Sequence, residues 1–345
     1  MDITIIVVAY NRKESLKRIL LSLNNARYDD DRVRLIISID KSENDDILQI
    51  ANDCLWDHGE KIVEMQSEHL GLHRHVIKCG DMSEKYSNII LLEDDLYVSP
   101  NFYRYSKSAL SFYKLDKQIA GISLYSQKFN ESAWLPFEPI KSNGDTFFMQ
   151  LASSWGQVWC FEQWSDFKKW YFQNISISID ESSKLPMNIV MWPETSWKKY
   201  FMKYLVEKDK YFVYPYISHT TNFGDKGTHF KDNTDTFQVA LDMTDNPIYK
   251  FYVLNESISV YDIFCENINL YKILEIIPEH LTIDIYGIKK INLFKRYILS
   301  SQILHYKVVK SFDLALRPQE LNIIESLYGE KIFLYDKNEE VPAIS

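Results

Sequence analysis

Ile89-Ile90-Leu91-Leu92-Glu93-Asp94-Asp95 is the stretch on which the reading of this chain turns. Four consecutive apolar residues have the pattern of a buried strand, and three carboxylates follow where that strand would end. Adjacent like charges repel one another, and a fold tolerates them best with a cation among them. Acidic oxygen ligands select hard ions such as Mg2+ or Mn2+. A divalent ion at the carboxyl end of a sheet strand is well placed to hold a diphosphate. The plainer alternative is a solvated acidic turn, and on these residues alone the two readings stand level.

Outward from this stretch, the first hundred residues alternate between strand and helix patterns. Ile3–Ala9 is a continuous apolar strand, and Ser15–Leu23 follows with Leu16, Ile19, Leu20 and Leu23 at helical spacing. Arg34–Ile39 reads as a second strand, Asp45–Trp56 as a helix, Ile62–Met65 as a third strand and His73–Lys85 as a helix leading into Ile89–Leu92. Repeated strand–helix units imply an α/β fold with a parallel sheet and helices on both faces. Ligands of such sheets bind at the carboxyl ends of the strands. The turn after the first strand, Ala9-Tyr10-Asn11-Arg12, holds no glycine. It supplies neither the Gly-rich dinucleotide turn nor a Walker-type loop. Phosphate charge must then be met by a metal and by side chains, which returns the weight to Glu93-Asp94-Asp95.

The pattern changes after about residue 120. Ser153-Ser154-Trp155-Gly156-Gln157-Val158-Trp159 leads into an aromatic stretch, and Pro193-Glu194-Thr195-Ser196-Trp197 precedes a helical pattern over Lys198–Lys208. A strand, Tyr211–Tyr214, runs into a polar loop over 220–229 that takes two of the chain's 10 glycines. That loop reads either as a lid over a ligand or as an ordinary surface connection. Leu281–Tyr286 alternates as a strand. Residues 289–310 carry Lys289, Lys290, Lys295, Arg296, Lys307 and Lys310 between apolar positions. This segment could rest on an anionic membrane surface or be a solvated helix face.

The bulk composition narrows the classes. A chain of 345 residues with 46% apolar residues can bury a large core. Its net charge of −9 argues against a duplex nucleic-acid partner, which wants a basic face. No apolar run approaches the ~20 residues of a spanning helix. The start, Met1-Asp2, lacks the basic region and cleavage site of a signal peptide. The four cysteines, Cys54, Cys79, Cys160 and Cys265, are widely spaced and read as reduced thiols. A cytoplasmic protein is the expectation.

Six stretches carry a family resemblance: VVAYNR (7–12), SID (38–40), LGLHRHV (70–76), LLEDDLYVSPNFY (91–103), SSWGQVW (153–159) and YPYISHTTNFGDKGTH (214–229). In this order they resemble metal-dependent glycosyltransferases of the GT-A fold. The resemblance is to the N-acetylglucosaminyltransferase I type and to bacterial transferases that build surface polysaccharides. It implies a Rossmann-like, mainly parallel sheet flanked by helices over residues 1–240, with a nucleotide-sugar half (1–105) and an acceptor half (106–240). Residues 241–345 are then a C-terminal extension without an assigned role.

By the same resemblance Asp95 is the direct ligand of Mn2+ or Mg2+, and Glu93 and Asp94 contact the donor sugar and ribose. Asp40 resembles the nucleobase reader. A carboxylate there can accept the imide N–H of uracil, which favours UDP; helix capping is the alternative. Arg12, His73 and His229 resemble further base, phosphate or metal contacts. Trp155 stacks on a sugar face or serves the core. The family's general base, an aspartate, has Thr195 at its place. Glu194, one residue earlier, is the carboxylate that could replace it, or an acid that favours the following helix start.

The function implied is metal-dependent, inverting transfer of a sugar from a nucleotide sugar to a hydroxyl of a glycan acceptor, as in bacterial polysaccharide or O-antigen assembly. A lipid-linked acceptor, and contact with the inner face of the membrane, fit the bacterial resemblance and the basic segment. Two other classes stay open: an inactive carbohydrate- or nucleotide-sugar-binding relative, favoured by Thr195, and a nucleotidyltransferase-type enzyme, disfavoured by Asn11-Arg12.

Overall fold

The computed structural model describes residues 1–42, 45–225 and 234–340. Strand β1 (Thr4–Ala9) is buried along its whole length, and helix α1 (Lys13–Asn24) follows it. Strand β2 (Leu35–Ile39), helix α2 (Asp45–Asp53) and strand β3 (Lys61–Met65) come next, then helix α3 (Gly71–Asp81), the short helix α4 (Ser83–Tyr86) and strand β4 (Asn88–Glu93). Two of the expected helices are shorter than their patterns. The segment 45–56 stops being helical at Asp53, and 73–85 breaks at Met82.

The four strands lie parallel in the order β4-β1-β2-β3, with Val8 opposite Glu93. Alternate residues of β1 face opposite sides. Ile5 and Val7 pack with Leu16, Ile19 and Leu20 of α1, whereas Ile6 and Val8 pack with Val76 and Cys79 of α3. Burying each such side chain contributes roughly 1.5–3 kcal/mol, so the two-sided burial fixes both register and topology.

Strand β5 (Leu96–Val98) and helix α5 (Phe102–Tyr113) follow the acidic turn. The chain then runs through β6 (Ile119–Ser123), a small hairpin β7 (Phe129–Asn130) and β8 (Leu135–Pro136), β9 (Thr146–Met149), β10 (Gln157–Cys160), helices α6 (Phe161–Asn174), α7 (Met187–Val190) and α8 (Trp197–Glu207), β11 (Tyr211–Pro215), β12 (Thr220–Asn222) and β13 (Val260–Tyr261). Five of these strands, β6, β9, β10, β11 and β13, extend the first sheet to nine, ordered β13-β9-β11-β6-β10-β4-β1-β2-β3. Strand β10 enters antiparallel between β4 and β6, and β9 is antiparallel to β11. The sheet is therefore mixed beyond β4, with its parallel half on the side of the acidic turn.

Beyond β13 a separate four-stranded sheet forms from β14 (Leu281–Asp284), β15 (Tyr297–Ser300), β16 (Tyr306–Phe312) and β17 (Ile332–Glu340). Strand β14 ends two residues earlier than its alternation suggests. The Asp284 carboxylate turns the chain by accepting the amides of Ile288 and Lys289, each at 2.8 Å. The basic segment 289–310 is not a helix, contrary to the helical reading: it holds one 3-10 turn, the whole of β15 and the first part of β16. Most of its cations are spent internally. Lys289 pairs with Asp262, Lys290 with Glu181, Arg296 with Asp336 and Lys307 with Glu339. No described helix is long and apolar enough to cross a membrane.

Two buried histidines make stability depend on pH. His75 is 2% exposed, its Nε2 lies 2.8 Å from Ser38 Oγ, and burial pushes its pKa down to about 4. His219, stacked on Tyr105 at 4.2 Å, is likewise pushed below its ordinary value by burial. Both stay neutral in the fold while the unfolded chain takes up protons below about pH 6.5. Their contribution is thus complete above that pH and is lost as the pH falls. For His75 the loss approaches about 3 kcal/mol by pH 4. Urea midpoints at pH 7 and pH 5 should show this fall, and His75→Gln should flatten it; an equal fall in both proteins would remove His75 as a cause.

Candidate active site

The end of β4 places the three acids differently. Glu93 is the last strand residue, while Asp94 and Asp95 form the turn into β5. Arg12, at the end of β1's turn, reaches across to both: it donates to Asp95 Oδ2 at 2.9 Å and pairs with Asp94 Oδ1. Burial raises the Glu93 pKa to about 8, and the neighbouring Asp95 adds to the rise. Burial also raises Asp94, to about 6, with Arg12 opposing it. Such upward shifts mark a site short of positive charge.

The remaining oxygen, Asp95 Oδ1, is buried and has no hydrogen-bond partner among the described residues. An orphaned carboxylate oxygen of this kind fits a hard cation. Magnesium-like ions are commonly held by one or two carboxylates, with water and substrate phosphates completing the shell. Among the described residues no group of three or more His, Cys, Asp and Glu is arranged around a metal position. The resemblance implies one direct ligand, Asp95, and not a convergence of three acids on one ion. Asp94 Oδ1 is turned to Arg12, and among the oxygens of the three acids Asp95 Oδ1 is the one that is buried without a partner among the described residues.

The loop after β11 is tied to this turn. Strand β12 pairs with β5, and the Phe223 amide donates to the Asp95 carbonyl at 3.0 Å. Gly224 sits at φ +60°, where an added Cβ would lie 1.9 Å from the Thr234 carbonyl oxygen, so glycine is required there. Asp225 then accepts from Ser15 Oγ at 2.7 Å and pairs with Arg18. His229 lies outside the described residues.

Asp40 is buried at the end of β2, but its carboxylate is occupied. Oδ1 accepts the amides of Lys41 and Leu70 at 2.8 and 2.7 Å; Oδ2 accepts the Gly71 amide at 2.9 Å and lies 3.0 Å from His69 Nδ1. All four lone-pair positions are used. The capping role it fills is at α3, not at the next helix in sequence. Its effect is to hold His69, which is exposed and packs against exposed Tyr10 with ring centres 5.0 Å apart. Tyr10 and His69 are the pair the sequence reading missed. The signal was present, since Tyr10 leaves β1 at its ligand-binding end.

His73 is drawn away from the acids. Its Nε2 meets Tyr171 Oη at 2.6 Å, and burial lowers its pKa. Trp155 is half-buried, in edge contact with Tyr125 at 4.7 Å and beside Phe237 at 4.9 Å. The next residue, Gly156, has φ +92° and fits close to Thr220, so the SSWGQ segment is a tight corner between β10 and the loop. Gln157 Oε1 and Ser153 Oγ in that corner are buried without partners among the described residues. Glu194 sits before α8, where Lys199 Nζ approaches at 2.6 Å and Tyr200 Oη at 2.7 Å. The hydrogen bond from Lys199, then that from Tyr200, lowers its pKa, which makes it a weak base in this arrangement.

Residues 4–160 match the model of the family described as Glycosyl transferase family 2. Fold, acidic turn and this match define the class: the chain resembles a GT-A glycosyltransferase. It is 26% identical over 144 residues to the Arabidopsis thaliana alpha-1,3-mannosyl-glycoprotein 2-beta-N-acetylglucosaminyltransferase, covering 42% of this chain and 26% of that protein. The chain thus spans about a quarter of the length of that relative. Among solved structures, S. aureus TarS 1-349 in complex with UDP aligns over 64% of this chain and 60% of its own, at 12% identity and a TM-score of 0.43. The Pyrobaculum calidifontis mannosyltransferase PcManGT in complex with GDP-Man and Mn2+ aligns over 46% and 44%, at 11% identity and 0.34.

Proposed function

We propose that the protein transfers a sugar from a nucleoside-diphosphate sugar, UDP foremost, to a hydroxyl of a glycan, with inversion and with a divalent metal. The observation that carries this reading is the orphaned Asp95 Oδ1 at the carboxyl end of β4, inside the segment that matches the transferase family. A divalent cation there would supply positive charge against the leaving diphosphate. Asp95 would hold it, Arg12 would bind phosphate oxygens, and Glu93 and Asp94 would face the sugar and ribose. The exposed Tyr10–His69 pair suits a stacked base, with Asp40 fixing His69. The plant relative's name makes N-acetylglucosamine the first donor to try. We keep residues 1–240 as the transferase domain, 241–345 as its extension, and surface polysaccharide or O-antigen assembly as the setting. That setting implies a cytoplasmic protein acting on a lipid-linked acceptor.

Glu194 is the proposed base, and it must exchange its bond to Lys199 or Tyr200 for the acceptor hydroxyl. That engagement is also what favours the second reading, an inactive nucleotide-sugar-binding relative. A thermal-shift panel of UDP, dTDP, GDP and CMP sugars with and without Mn2+ tests the first reading. Saturating UDP-sugar with Mn2+ should stabilise the fold by about 2.7 kcal/mol at a hundredfold excess over Kd. No response to any nucleotide would overturn it. Glu194→Gln should keep this response and lose about 10²–10⁴ in transfer rate. Near-normal turnover would remove Glu194 from the role.

A further inference from the structure

A cleft open to solvent lies where the β7–β8 hairpin, the α7–α8 segment and the loop 262–266 meet. Asn188 lines it, and its Oδ1 is shielded from solvent without a hydrogen-bond partner among the described residues. Buried carbonyl oxygens are normally satisfied, so this one calls for a donor from a ligand. Glu131 and Lys198 also line the cleft, and neither pairs with an opposite charge among the described residues. The Lys198 ammonium lies 5.5 Å from the Trp192 ring centre and 5.6 Å from that of Trp155, and its charge acts on Glu93. Trp155 precedes Gly156, where an added Cβ would lie 3.3 Å from Leu92 Cδ2, so the cleft lies towards the end of β4.

The remaining wall comes from the C-terminal part, through Ile263 and Cys265. The loop that carries them is braced from below. Lys289 Nζ lies 2.6 Å from Asp262 Oδ2 and 2.6 Å from the Ile283 carbonyl. Asp262 Oδ1 accepts the amides of Phe264 and Glu266 at 2.8 and 3.0 Å. Glu266 in turn accepts the Tyr286 amide at 2.8 Å. A buried lysine is costly unless paired, so this bond locks the loop against the four-stranded sheet.

We propose that this cleft seats the acceptor sugar, and that the extension serves the reaction by forming its wall, with Lys289 as a positioning residue. This rests on the glycosyltransferase reading given above. The chemistry selects a neutral polyhydroxylated ring. Its hydroxyls can donate to Asn188 Oδ1 and Glu131, a hydroxyl oxygen can accept from Lys198, and its C–H face can lie on Trp192. An apolar ligand would leave both charges and the carbonyl unsatisfied.

Saturation-transfer NMR of the full chain with the methyl glycosides of glucose, galactose, N-acetylglucosamine and mannose tests this without catalysis. At least one glycoside should give a signal. Asn188→Leu and Glu131→Gln should each weaken it about tenfold. Lys289→Met should weaken it as well, with rescue by Lys289→Arg, and all variants should keep the thermal response to UDP. Glycoside affinity unchanged in Asn188→Leu and Glu131→Gln, or no signal from the parent protein, overturns the assignment. The UDP response reports separately on the donor reading, so the two can fail independently.

Discussion

Asp95→Asn should abolish metal-dependent transfer, with activity falling about 10³-fold or more, while the fold is retained. A cation that offsets leaving-group charge contributes several kcal/mol to the transition state, and each 1.36 kcal/mol is about tenfold in rate. The amide keeps the shape but replaces a charged oxygen by a neutral one. Stability should move in the opposite direction. Glu93 and Asp94 both have raised pKa values, and Asp95 contributes to both. Removing its charge relieves that repulsion, and Asp94 keeps Arg12 as its partner. The variant should therefore melt at or above the parent's temperature and lose the Mn2+-dependent part of its response to UDP. Full Mn2+-dependent activity in Asp95→Asn would sink the assignment of the metal. Reduced activity with an intact Mn2+ response would move Asp95 to the donor sugar.

The parallel half of the sheet was legible because its strands are buried on both faces, which leaves continuous runs such as Ile3–Ala9 and Ile89–Leu92 in the sequence. The acidic turn was legible for the same reason, since charge stands out at the end of an apolar run. What could not be read was partnership. Asp40 and Glu194 have ordinary local contexts, and only the folded chain brings the amides of Leu70 and Gly71 to the first, and Lys199 and Tyr200 to the second. The basic C-terminal segment misled because charge spacing is visible in sequence, whereas the carboxylates that neutralise it come from Asp262, Glu181, Asp336 and Glu339, well away along the chain. Gly80 is an intermediate case. A glycine inside a helical pattern costs about 1 kcal/mol against alanine, which hints at a close approach without naming the neighbour.

That neighbour is Trp164, and Trp164→Ala should destabilise the protein by about 3–5 kcal/mol. The indole is 1% exposed, its ring centre lies 4.8 Å from that of Trp159, and Nε1 donates to Asp81 Oδ1 at 2.9 Å. A Cβ on Gly80 would meet it at 2.1 Å, so α3 and α6 touch through this ring with nothing between them. Truncation removes the contacts from both helices and leaves a cavity that backbone cannot fill from either side. It does not strand a charge, because Asp81 keeps Lys168 at 2.7 Å. The loss should therefore be one of packing, and a large share of the 5–15 kcal/mol typical of a domain. Trp134 provides the contrast: it is 69% exposed at the hairpin tip, and Trp134→Ala should change stability by no more than about 0.5 kcal/mol. Urea midpoints of the two variants separate the cases. A loss below about 1 kcal/mol for Trp164→Ala would mean that α3 is not held by this contact. It would also mean that the edge carrying Asp40 and His69 is positioned by β2 alone.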